Sequence, residues 1–361
     1  MYSPFRHINA VFSKNHPIHL TFFITRKCNS ACPFCFYLRT ADTRQAAESE
    51  LTIEEIRKIS LSFGELLWLA FSGGEIYLRD DLPEISRIFY RNNRPAIMLF
   101  PTNGLLPGRI REMTEQILVD CPKSTIAVKL SMDGLHDAHD RIRNTPGSFA
   151  NTMETYAQLS ELLASYPHFE LGVNTVFSAE NQDQMDGIID FVGGLENIKT
   201  HTISLVRGNL SNKGFAEIDP AKYLHAIERL EENLKTRGAA RTYRFRGSRI
   251  KAAQDVIQRR LISQTLAEQK RVIPCYAGHL NLVLTESGEV YPCEILNRGL
   301  GNIRDYGYNI QKLLTSDRAK AVLNSIRDNQ CYCTHECYFM TNILFTPRLY
   351  PVLAREYLQI K

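Results

Sequence analysis

The chain has 361 residues, of which 44% are hydrophobic and 23% are charged, as in an ordinary globular protein. Its net charge is only +4, from 43 basic and 39 acidic residues. Composition therefore gives no reason to expect binding to nucleic acid or to an anionic membrane. No apolar run reaches the roughly 18 residues of a membrane-spanning helix, and the N-terminus lacks the layout of a signal peptide. We predict no transmembrane segment and expect a cytoplasmic location.

Short apolar runs alternate with amphipathic stretches from residue 18 to about residue 207. The runs predict strands at 18–25, 66–72, 96–102, 124–131, 169–177 and 199–206. Helices are predicted between them near 52–63, 81–92, 108–119, 147–164 and 181–192. Thr52 and Asp81 are the predicted N-caps of the first two helices. Repeated strand–helix units with apolar strands predict a parallel sheet covered on both faces. Six units are fewer than a closed barrel has, so the predicted fold is α/β, a partial (β/α)6 TIM-like barrel. We expect its site, with every motif described below, beyond the carboxyl ends of the strands.

The pattern changes after Asn209. A helix is predicted from Asp219 to about Lys235, and a basic stretch at 241–260 leads into an amphipathic helix. The basic residues of this stretch are Arg241, Arg244, Arg246, Arg249, Lys251, Arg259 and Arg260. They could contact a phosphate or an acidic substrate, but we favour a solvated helix face or loop. A hairpin is predicted at 280–294, with its turn at Ser287-Gly288. The predicted domains are an N-terminal extension (1–17), a partial barrel (18–210), a helical linker (211–272) and a small cysteine-rich domain with a tail (273–361).

Nine cysteines are many for a cytosolic chain, and in a reducing compartment they indicate metal or redox sites before disulfides. Cys28, Cys32 and Cys35 form a Cys-x-x-x-Cys-x-x-Cys motif directly after the first predicted strand. Three thiolates bind three irons of a four-iron cubane and leave one iron open for a substrate or cofactor. The alternative is a zinc site completed by a histidine such as His19. Cys121 stands alone, and we predict a buried, inert thiol there.

The motifs around these cysteines resemble those of the radical S-adenosylmethionine (SAM) superfamily. CNSACPFCFY is followed, at the ends of successive predicted strands, by SGGE (72–75), TNG (102–104) and SMDG (131–134), and then by HDRIRNTPGSF (139–149). The resemblance covers residues 18 to about 207 and resumes at 275–337. One of these motifs alone would be a weak signal, but five in the family's order are specific.

The resemblance implies that the amino nitrogen and carboxylate of SAM bind the open iron. Phe36 would then lie along the adenine, and the SGGE residues Gly73, Gly74 and Glu75 would hold the SAM amino group. A Gly-Gly pair also suits a plain strand-to-helix turn, which is the alternative for that motif. Thr102 and Asn103 of the TNG motif belong to the same implied site.

Further SAM contacts are implied at the ends of the fourth and fifth strands. Ser131 and Asp133 end the fourth strand, and Arg143 follows. A serine hydroxyl and a guanidinium are apt ligands for the SAM carboxylate, and Asp133 belongs to the same implied site. Asn174 could reach the ribose hydroxyls, with the backbone of Val176 near the adenine. For Arg143 and Asn174 a purely structural role is an equal alternative, because buried polar groups also stabilise loops.

The C-terminal cysteines resemble the SPASM domain, an auxiliary-cluster module of radical SAM enzymes. Cys275, twelve residues, Gly288, four residues and Cys293 match the opening of that module, and Cys333-x-x-x-Cys337 matches its later motif. Five thiolates can fully ligate one [4Fe–4S] cluster but not two, so we predict the shortened, single-cluster twitch version. The predicted ligands are Cys275, Cys293, Cys333 and Cys337, with Cys331 as the substitute for Cys333. A zinc site using four of these cysteines, or His279 or His335, is the alternative.

The resemblance implies an enzyme that cleaves SAM reductively to a 5′-deoxyadenosyl radical, which abstracts hydrogen from a substrate. Its implied cofactors are a SAM-binding [4Fe–4S] cluster, SAM and one auxiliary [4Fe–4S] cluster, which takes the second electron or holds substrate. The expected electron donor is a flavodoxin or ferredoxin. Because Cys28 comes early in the chain, we expect a small polar metabolite of sugar or cyclitol type as the substrate. The alternative is a maturase of a ribosomally made precursor peptide with a separate leader-binding partner. A non-catalytic iron–sulfur or zinc protein is the alternative from another class, and no nucleic-acid partner is expected.

Overall fold

A computed structural model of the chain describes residues 1–38, 50–236, 243, 245, 247–328 and 331–360. Its described strands form one nine-stranded sheet in the order β6-β5-β4-β3-β2-β1-β7-β8-β9. The strands are β1 His19–Thr25, β2 Trp68–Gly73, β3 Ile97–Thr102, β4 Thr125–Ser131, β5 Phe169–Phe177, β6 Thr200–Leu205, β7 Asn281–Leu284, β8 Glu289–Tyr291 and β9 Gly301–Asn302. Strands β1 to β6 pair in parallel, each with the next in sequence, which confirms the predicted α/β class.

Helices connect these strands and continue the chain beyond them. The α-helices are α1 Ile53–Ser62, α2 Leu82–Asn93, α3 Pro107–Asp120, α4 His136–Ile142, α5 Ser148–Ser165, α6 Met185–Gly194, α7 Pro220–Thr236, α8 Ser248–Glu268, α9 Ile310–Leu314, α10 Asp317–Asp328, α11 Glu336–Leu344 and α12 Tyr350–Gln359. A 3-10 helix, Pro4–Val11, precedes the sheet. No helix in the described ranges is both long and apolar enough to cross a membrane.

Side chains of the parallel strands alternate between a helix-covered face and an inner lumen. On β1, Leu20, Phe22 and Ile24 are buried in the main core. Thr21, between them, lines the lumen. Cys121, at the end of α3, is fully buried in the same core, and burial raises the pKa of its thiol to about 12. The lumen is therefore lined by the smaller and more polar residues of the strands.

The predicted hairpin forms, and it extends the barrel sheet. β7 pairs in parallel with β1, His19 opposite Asn281, and β8 then returns antiparallel to β7. Gly288 adopts a φ of 87° at the turn, a conformation that favours glycine. The predicted domain boundaries at 210 and 272 stay a prediction, since the cysteine-rich region shares this sheet.

The two predicted N-caps behave differently. Thr52 accepts a hydrogen bond from the Glu55 backbone N–H while Glu55 accepts from the Thr52 N–H, a complete capping box. Asp81 occupies the N-cap position of α2 but makes no capping hydrogen bond, so this prediction is wrong. Its carboxylate instead accepts from the Arg79 guanidinium at 2.7 Å, which is a stronger, charge-assisted partner.

The described part of the basic stretch contains both exposed and partly buried basic residues. In α8, Lys251 is 12% exposed and pairs with Asp255, and Arg260 pairs with Glu356 at 2.6 Å. The guanidinium of Arg249 lies over the Tyr357 ring, 4.4 Å from its centroid. Arg241, Arg244 and Arg246 lie outside the described residues. The prediction of a solvated helix face holds only in part, because Arg249 and Arg260 are exposed, whereas Lys251 lines the lumen and α8 packs against α7, α11 and α12.

Candidate active site in the barrel lumen

A cavity of about 390 Å³ occupies the lumen. It is lined near the carboxyl ends of the strands by Cys28, Cys32 and Cys35, and near their amino ends by Trp68 and Thr125. It also brings together almost every residue predicted for SAM, namely Phe36, Gly73, Gly74, Glu75, Thr102, Asn103, Ser131, Arg143, Asn174 and Val176. Asp133 does not line the cavity.

The cysteine triad lies on the loop after β1. Ser30 Oγ is 3.1 Å from Cys32 Sγ, and the Leu38 N–H donates to Cys35 Sγ at 3.3 Å. Burial raises the pKa of Cys28 to about 11 and also raises that of Cys32. Both thiols therefore have to ionise when they bind iron, as metal-ligating cysteines do.

His19 cannot complete a zinc site with this triad. It is buried at the amino end of β1, about 20 Å along the strand from the loop that carries the cysteines. Across the described residues, no three His, Cys, Asp or Glu side chains are grouped closely enough to hold a single metal ion. A four-iron cluster has a different requirement, since each iron takes its own thiolate.

The glycines of the SGGE motif allow close packing of two strand ends. The Gly74 N–H donates to the Thr25 carbonyl and the Glu75 N–H to the Lys27 carbonyl, both at 2.8 Å. A Cβ at Gly73 would overlap the Thr25 oxygen, and one at Gly74 would overlap the Lys27 oxygen. We expected these glycines to let a ligand come close to the backbone. In the structure the space left by their missing Cβ atoms is occupied by the backbone at Thr25 and Lys27, which leads into the cysteine loop.

Glu75 is held in place by three donors. Its carboxylate accepts from the Asn103 N–H at 2.7 Å, from Thr102 Oγ1 at 2.8 Å and from the Tyr77 N–H at 3.3 Å. Burial raises the pKa of this carboxyl, and the donors oppose that shift. Two carboxylate oxygens have about four acceptor positions, so an ammonium group in the cavity can still be bound.

Arg143 and Asp133 form a buried pair behind the cavity wall. Arg143 Nη1 donates to Asp133 Oδ2 at 2.6 Å, and Asp133 Oδ1 accepts from the Val176 N–H at 2.7 Å. Burial alone would lower the pKa of Arg143, but the nearby Cys32 and Asp133 raise it, so the guanidinium stays charged. Its Nε is buried without a partner, so an N–H donor remains for a ligand carboxylate.

Two predicted contacts are already partly used within the protein. The Val176 N–H is bound to Asp133, and its carbonyl accepts from Asn181 Nδ2 at 2.8 Å. Asn174 Oδ1 accepts from Ser204 Oγ at 3.1 Å. Ser131 pairs with Asn174 across β4 and β5, which places both residues at the same level of the lumen. The assignments of these residues to SAM remain predictions.

The auxiliary cysteines line a second cavity of about 110 Å³. Its cysteines are Cys275, Cys293, Cys331 and Cys333. Arg271 Nη2 donates to Cys331 Sγ at 3.2 Å, and burial raises the pKa of Cys293 to about 12. Cys337 lines the lumen instead. The structure thus places Cys331, and not Cys337, beside the other three predicted ligands.

The histidines of the zinc alternative are not arranged around these sulfurs. His279 is exposed, and His335 Nε2 lies 2.6 Å from Glu294 Oε2. Burial and repulsion by Arg207 both lower the pKa of His335. Attraction by the Glu294 carboxylate is the largest opposing effect, and this pKa is raised to about 9. His335 therefore faces Glu294 and does not line the cavity of the auxiliary cysteines.

Sequence reasoning missed a buried charge network between the two cysteine regions. Arg207, two residues after β6, pairs with Glu294 at 3.4 Å and with Glu336 at 3.3 Å. Its guanidinium also lies over the Phe36 ring, 5.2 Å from the centroid. These residues line the lumen. The available signal was a charged residue at the carboxyl end of a predicted strand.

Comparison with known proteins agrees with this fold. Residues 22–192 match the family model described as the Radical SAM superfamily. The subtilosin biosynthesis protein AlbA of Bacillus subtilis is 26% identical over 80% of this chain and 57% of its own length. The Fe-coproporphyrin III synthase of Methanosarcina barkeri is 34% identical over 38% of this chain and 33% of its own length. The chain thus spans less than two thirds of both relatives. Streptococcus suis SuiB, in a crystal structure bound to precursor peptide SuiA, superposes with a TM-score of 0.59 at 13% identity, covering 89% of this chain and 70% of that one.

A partial barrel with three cysteines on one loop beside a lumen cavity is the arrangement that these comparisons share with the chain. Residues 22–192 of the chain match the radical SAM superfamily, and its fold and cysteine motifs are similar to those of radical SAM proteins with a C-terminal auxiliary-cluster region. Its residues suit the cofactors of that class: three thiols on one loop for the SAM-binding [4Fe–4S] cluster, buried Glu75 and Arg143 for SAM, and four thiols in one cavity for an auxiliary cluster.

Proposed function

We propose that this enzyme modifies a ribosomally made precursor peptide. The substrate expected from sequence was a small polar metabolite, and the comparisons favour the peptide alternative. The relative AlbA is named for bacteriocin biosynthesis, and SuiB has been crystallised with its precursor peptide. The other predicted class, a non-catalytic iron–sulfur or zinc protein, has no use for a SAM pocket.

One observation supports the chemistry above all others. A single cavity joins the cysteine triad, the residues around the SAM site and Cys337 of the C-terminal motif. A peptide segment in this lumen would lie between the two cluster regions. When bound, the cluster and SAM supply a 5′-deoxyadenosyl radical, and the auxiliary cluster supplies an electron acceptor.

The protein groups position the reactants and exclude water. Glu75 would accept from the SAM ammonium, and Arg143 would offer its Nε–H to the SAM carboxylate. Arg207 covers Phe36 and links it to Glu294 and Glu336, beside Cys293 and Cys337. We include in this proposal a flavodoxin or ferredoxin as electron donor, a separate leader-binding partner, and the cytoplasm as the location that keeps the thiols reduced.

The test uses anaerobically reconstituted enzyme with SAM, dithionite and synthetic peptides encoded by short reading frames beside its gene. We expect one of these peptides to lose hydrogen and to stimulate 5′-deoxyadenosine formation in proportion to product. Mass spectrometry and chromatography measure both quantities. Formation of 5′-deoxyadenosine that no peptide changes, with every peptide recovered at its original mass, would contradict the proposal.

A second candidate is oxidation of a porphyrin side chain. The relative that is 34% identical over 141 residues is named Fe-coproporphyrin III synthase. Because a synthase of that name forms Fe-coproporphyrin III, the same preparation is incubated with an iron tetrapyrrole precursor of that compound, and only a tetrapyrrole-modifying enzyme changes the mass and absorption spectrum of the precursor.

A further inference from the structure

The lumen contains a lysine that neither cluster region nor the SAM site uses. Lys129 on β4 pairs in register with Gly172 on β5, which pairs with Thr200 on β6. The Lys129 side chain crosses this row, and its Nζ donates to Thr200 Oγ1 and, at 3.4 Å, to the Thr200 carbonyl. A Cβ at Gly172 would lie 2.5 Å from Nζ, so the glycine provides the space for this crossing.

The two oxygens of Thr200 that accept hydrogen bonds from the Lys129 ammonium are both neutral. Within the described residues, Lys129 makes no ion pair with a carboxylate closer than 4 Å, whereas the neighbouring Lys251 pairs with Asp255. Arg143 and Arg207 in the same cavity also have carboxylate partners. An ammonium has three N–H donors, and two of them are used on Thr200. Burial and then repulsion by Lys251 lower the pKa of Lys129 to about 7; Asp255 and Glu170 act the other way, but neither of these described residues forms an ion pair with Lys129.

The position of Lys129 places it on the substrate side of the SAM site. Lys129 lies two residues before Ser131 on β4, so both side chains are on the same face of the strand. The Cα of Lys129 is about 7 Å from that of Ser131, toward the amino end of the strand. Both residues line the cavity. A group bound to Lys129 would therefore lie beneath the SAM pocket, between the two cluster regions.

We propose that Lys129 binds a carboxylate of the substrate in the lumen. This inference rests on the proposed function, because it takes the lumen as the substrate chamber. One remaining N–H donor suits one carboxylate oxygen, whereas a phosphate is better bound by several donors. The carboxylate could belong to an acidic residue or the C-terminus of a peptide, or to a porphyrin propionate.

A structural role for the row Lys129–Gly172–Thr200 makes opposite predictions. If Lys129 only joined β4 to β6, removing its charge would lower the melting temperature and leave ligand binding unchanged. If it binds a substrate anion, its unpaired charge is unfavourable in the free enzyme, so Lys129→Met should melt at the same or a higher temperature.

The experiment is calorimetric titration of SAM-loaded holoenzyme with glutarate, a small dicarboxylate, and with glutaramide, its uncharged counterpart. We expect glutarate to bind and glutaramide not to bind. Lys129→Met should weaken glutarate binding about tenfold or more, and Lys129→Arg should stay within about threefold of wild type. Thr200→Val, which removes one neutral partner of Lys129, should keep the binding.

Equal glutarate affinity in wild type and Lys129→Met, or no binding to either, would overturn the proposal. A loss of melting temperature in Lys129→Met without a loss of affinity would show that the row is structural. N-acetylglutamate methylamide, N-acetylalanine and coproporphyrin III then identify the source of the carboxylate by competition with glutarate. If glutarate binds through Lys129 while no peptide is modified, the proposed function fails and this inference stands.

Discussion

Glu75 shows how one buried carboxylate organises the carboxyl ends of two strands at the proposed SAM site. It joins the ends of β2 and β3, because its own backbone follows β2 and its carboxylate binds Thr102 and Asn103. It is 2% exposed and lines the lumen. A buried carboxylate with three protein donors and spare acceptor positions is suited to a cation that arrives with the ligand.

Substitution of Glu75 tests this role. Glu75→Gln should weaken SAM binding about tenfold to a hundredfold, because a hydrogen bond to a charged group contributes about 1.5–3 kcal/mol. Equilibrium dialysis with labelled SAM on the reconstituted protein measures this, with iron content as the check on cluster loading. The matched control is Glu286→Gln, since Glu286 is equally buried and outside the cavity. SAM affinity that is unchanged in Glu75→Gln would remove Glu75 from the site.

The sequence predicted many of the residues that line the site, but it did not predict the structural role of several of them. SGGE indicated glycines near a ligand, yet Gly73 and Gly74 are required by backbone packing that only the fold reveals. Lys129 stands in a predicted strand that otherwise reads as buried on both faces, and this anomaly was the one signal available for it. Its partner Thr200 lies 71 residues further along the chain, so the cross-strand row could not be read from sequence.

At the scale of elements, α1 is joined to the segment after β9 by a small polar cluster. Glu55 accepts from Arg304 Nε at 2.7 Å and from the Tyr308 hydroxyl at 3.1 Å, besides its capping bond. Chiefly through the Arg304 hydrogen bond, the pKa of Glu55 is lowered to about 2. Because the pKa of Glu55 is lower in the folded protein than in the unfolded chain, where it is about 4.5, the ionised carboxylate stabilises the fold fully above pH 4.5. This contribution to the free energy of unfolding is lost as the pH falls toward 2.

A double-mutant cycle on this cluster measures how strongly the C-terminal region is held to the barrel. Glu55→Ala and Arg304→Ala should each lower the free energy of unfolding, and we expect a coupling of about 1 kcal/mol between them, because the pair is partly buried and charge-assisted. Urea titration of preparations with matched iron content provides the values. If the losses of unfolding free energy in the two single variants add up to the loss in the double variant, Glu55 and Arg304 are not energetically coupled and the prediction is wrong.

Local elements were predicted better than their long-range pairing. The six barrel strands lie within about two residues of the predicted ranges, because apolar runs between capped helices are local signals. Helix α4 was missed, since HDAHDRI is polar and short. The hairpin was predicted, but its pairing with β1 joins residues 19 and 281, and no local pattern specifies such a register.

At the scale of the whole molecule, the cysteine triad and Cys293 lie at opposite ends of β1. The triad follows the carboxyl end of β1. Tyr291 on β8 pairs with Val283 on β7, and Val283 pairs with Thr21 on β1. Because β8 runs antiparallel to β1, Cys293, two residues after Tyr291, lies near the amino end of β1. The expectation that every motif lies beyond the carboxyl ends is therefore wrong for Cys293. The antiparallel return of β8 carries Cys293 to the other end, while Cys337 lines the same lumen as the triad.

This arrangement leads to a prediction about which thiols hold the auxiliary cluster. Cys275, Cys293, Cys331 and Cys333 share one cavity, while Cys337 faces the lumen. Reconstituted wild-type protein should contain about eight irons, from two four-iron clusters. Cys293→Ala and Cys331→Ala should retain about four and still cleave SAM, because the triad is untouched. Cys32→Ala should also lose about four irons, but it should lose SAM cleavage with them.

Cys337→Ala is the variant that decides the ligand set. If the shared cavity holds the cluster, this variant should keep about eight irons and the same auxiliary-cluster electron paramagnetic resonance signal as wild type. A fall to about four irons in Cys337→Ala, with eight kept in Cys331→Ala, would restore the ligand set predicted from the spacing of the motif. The helix α11 would then have to turn the Cys337 sulfur away from the lumen, and the substrate chamber would lose its one described thiol outside the triad.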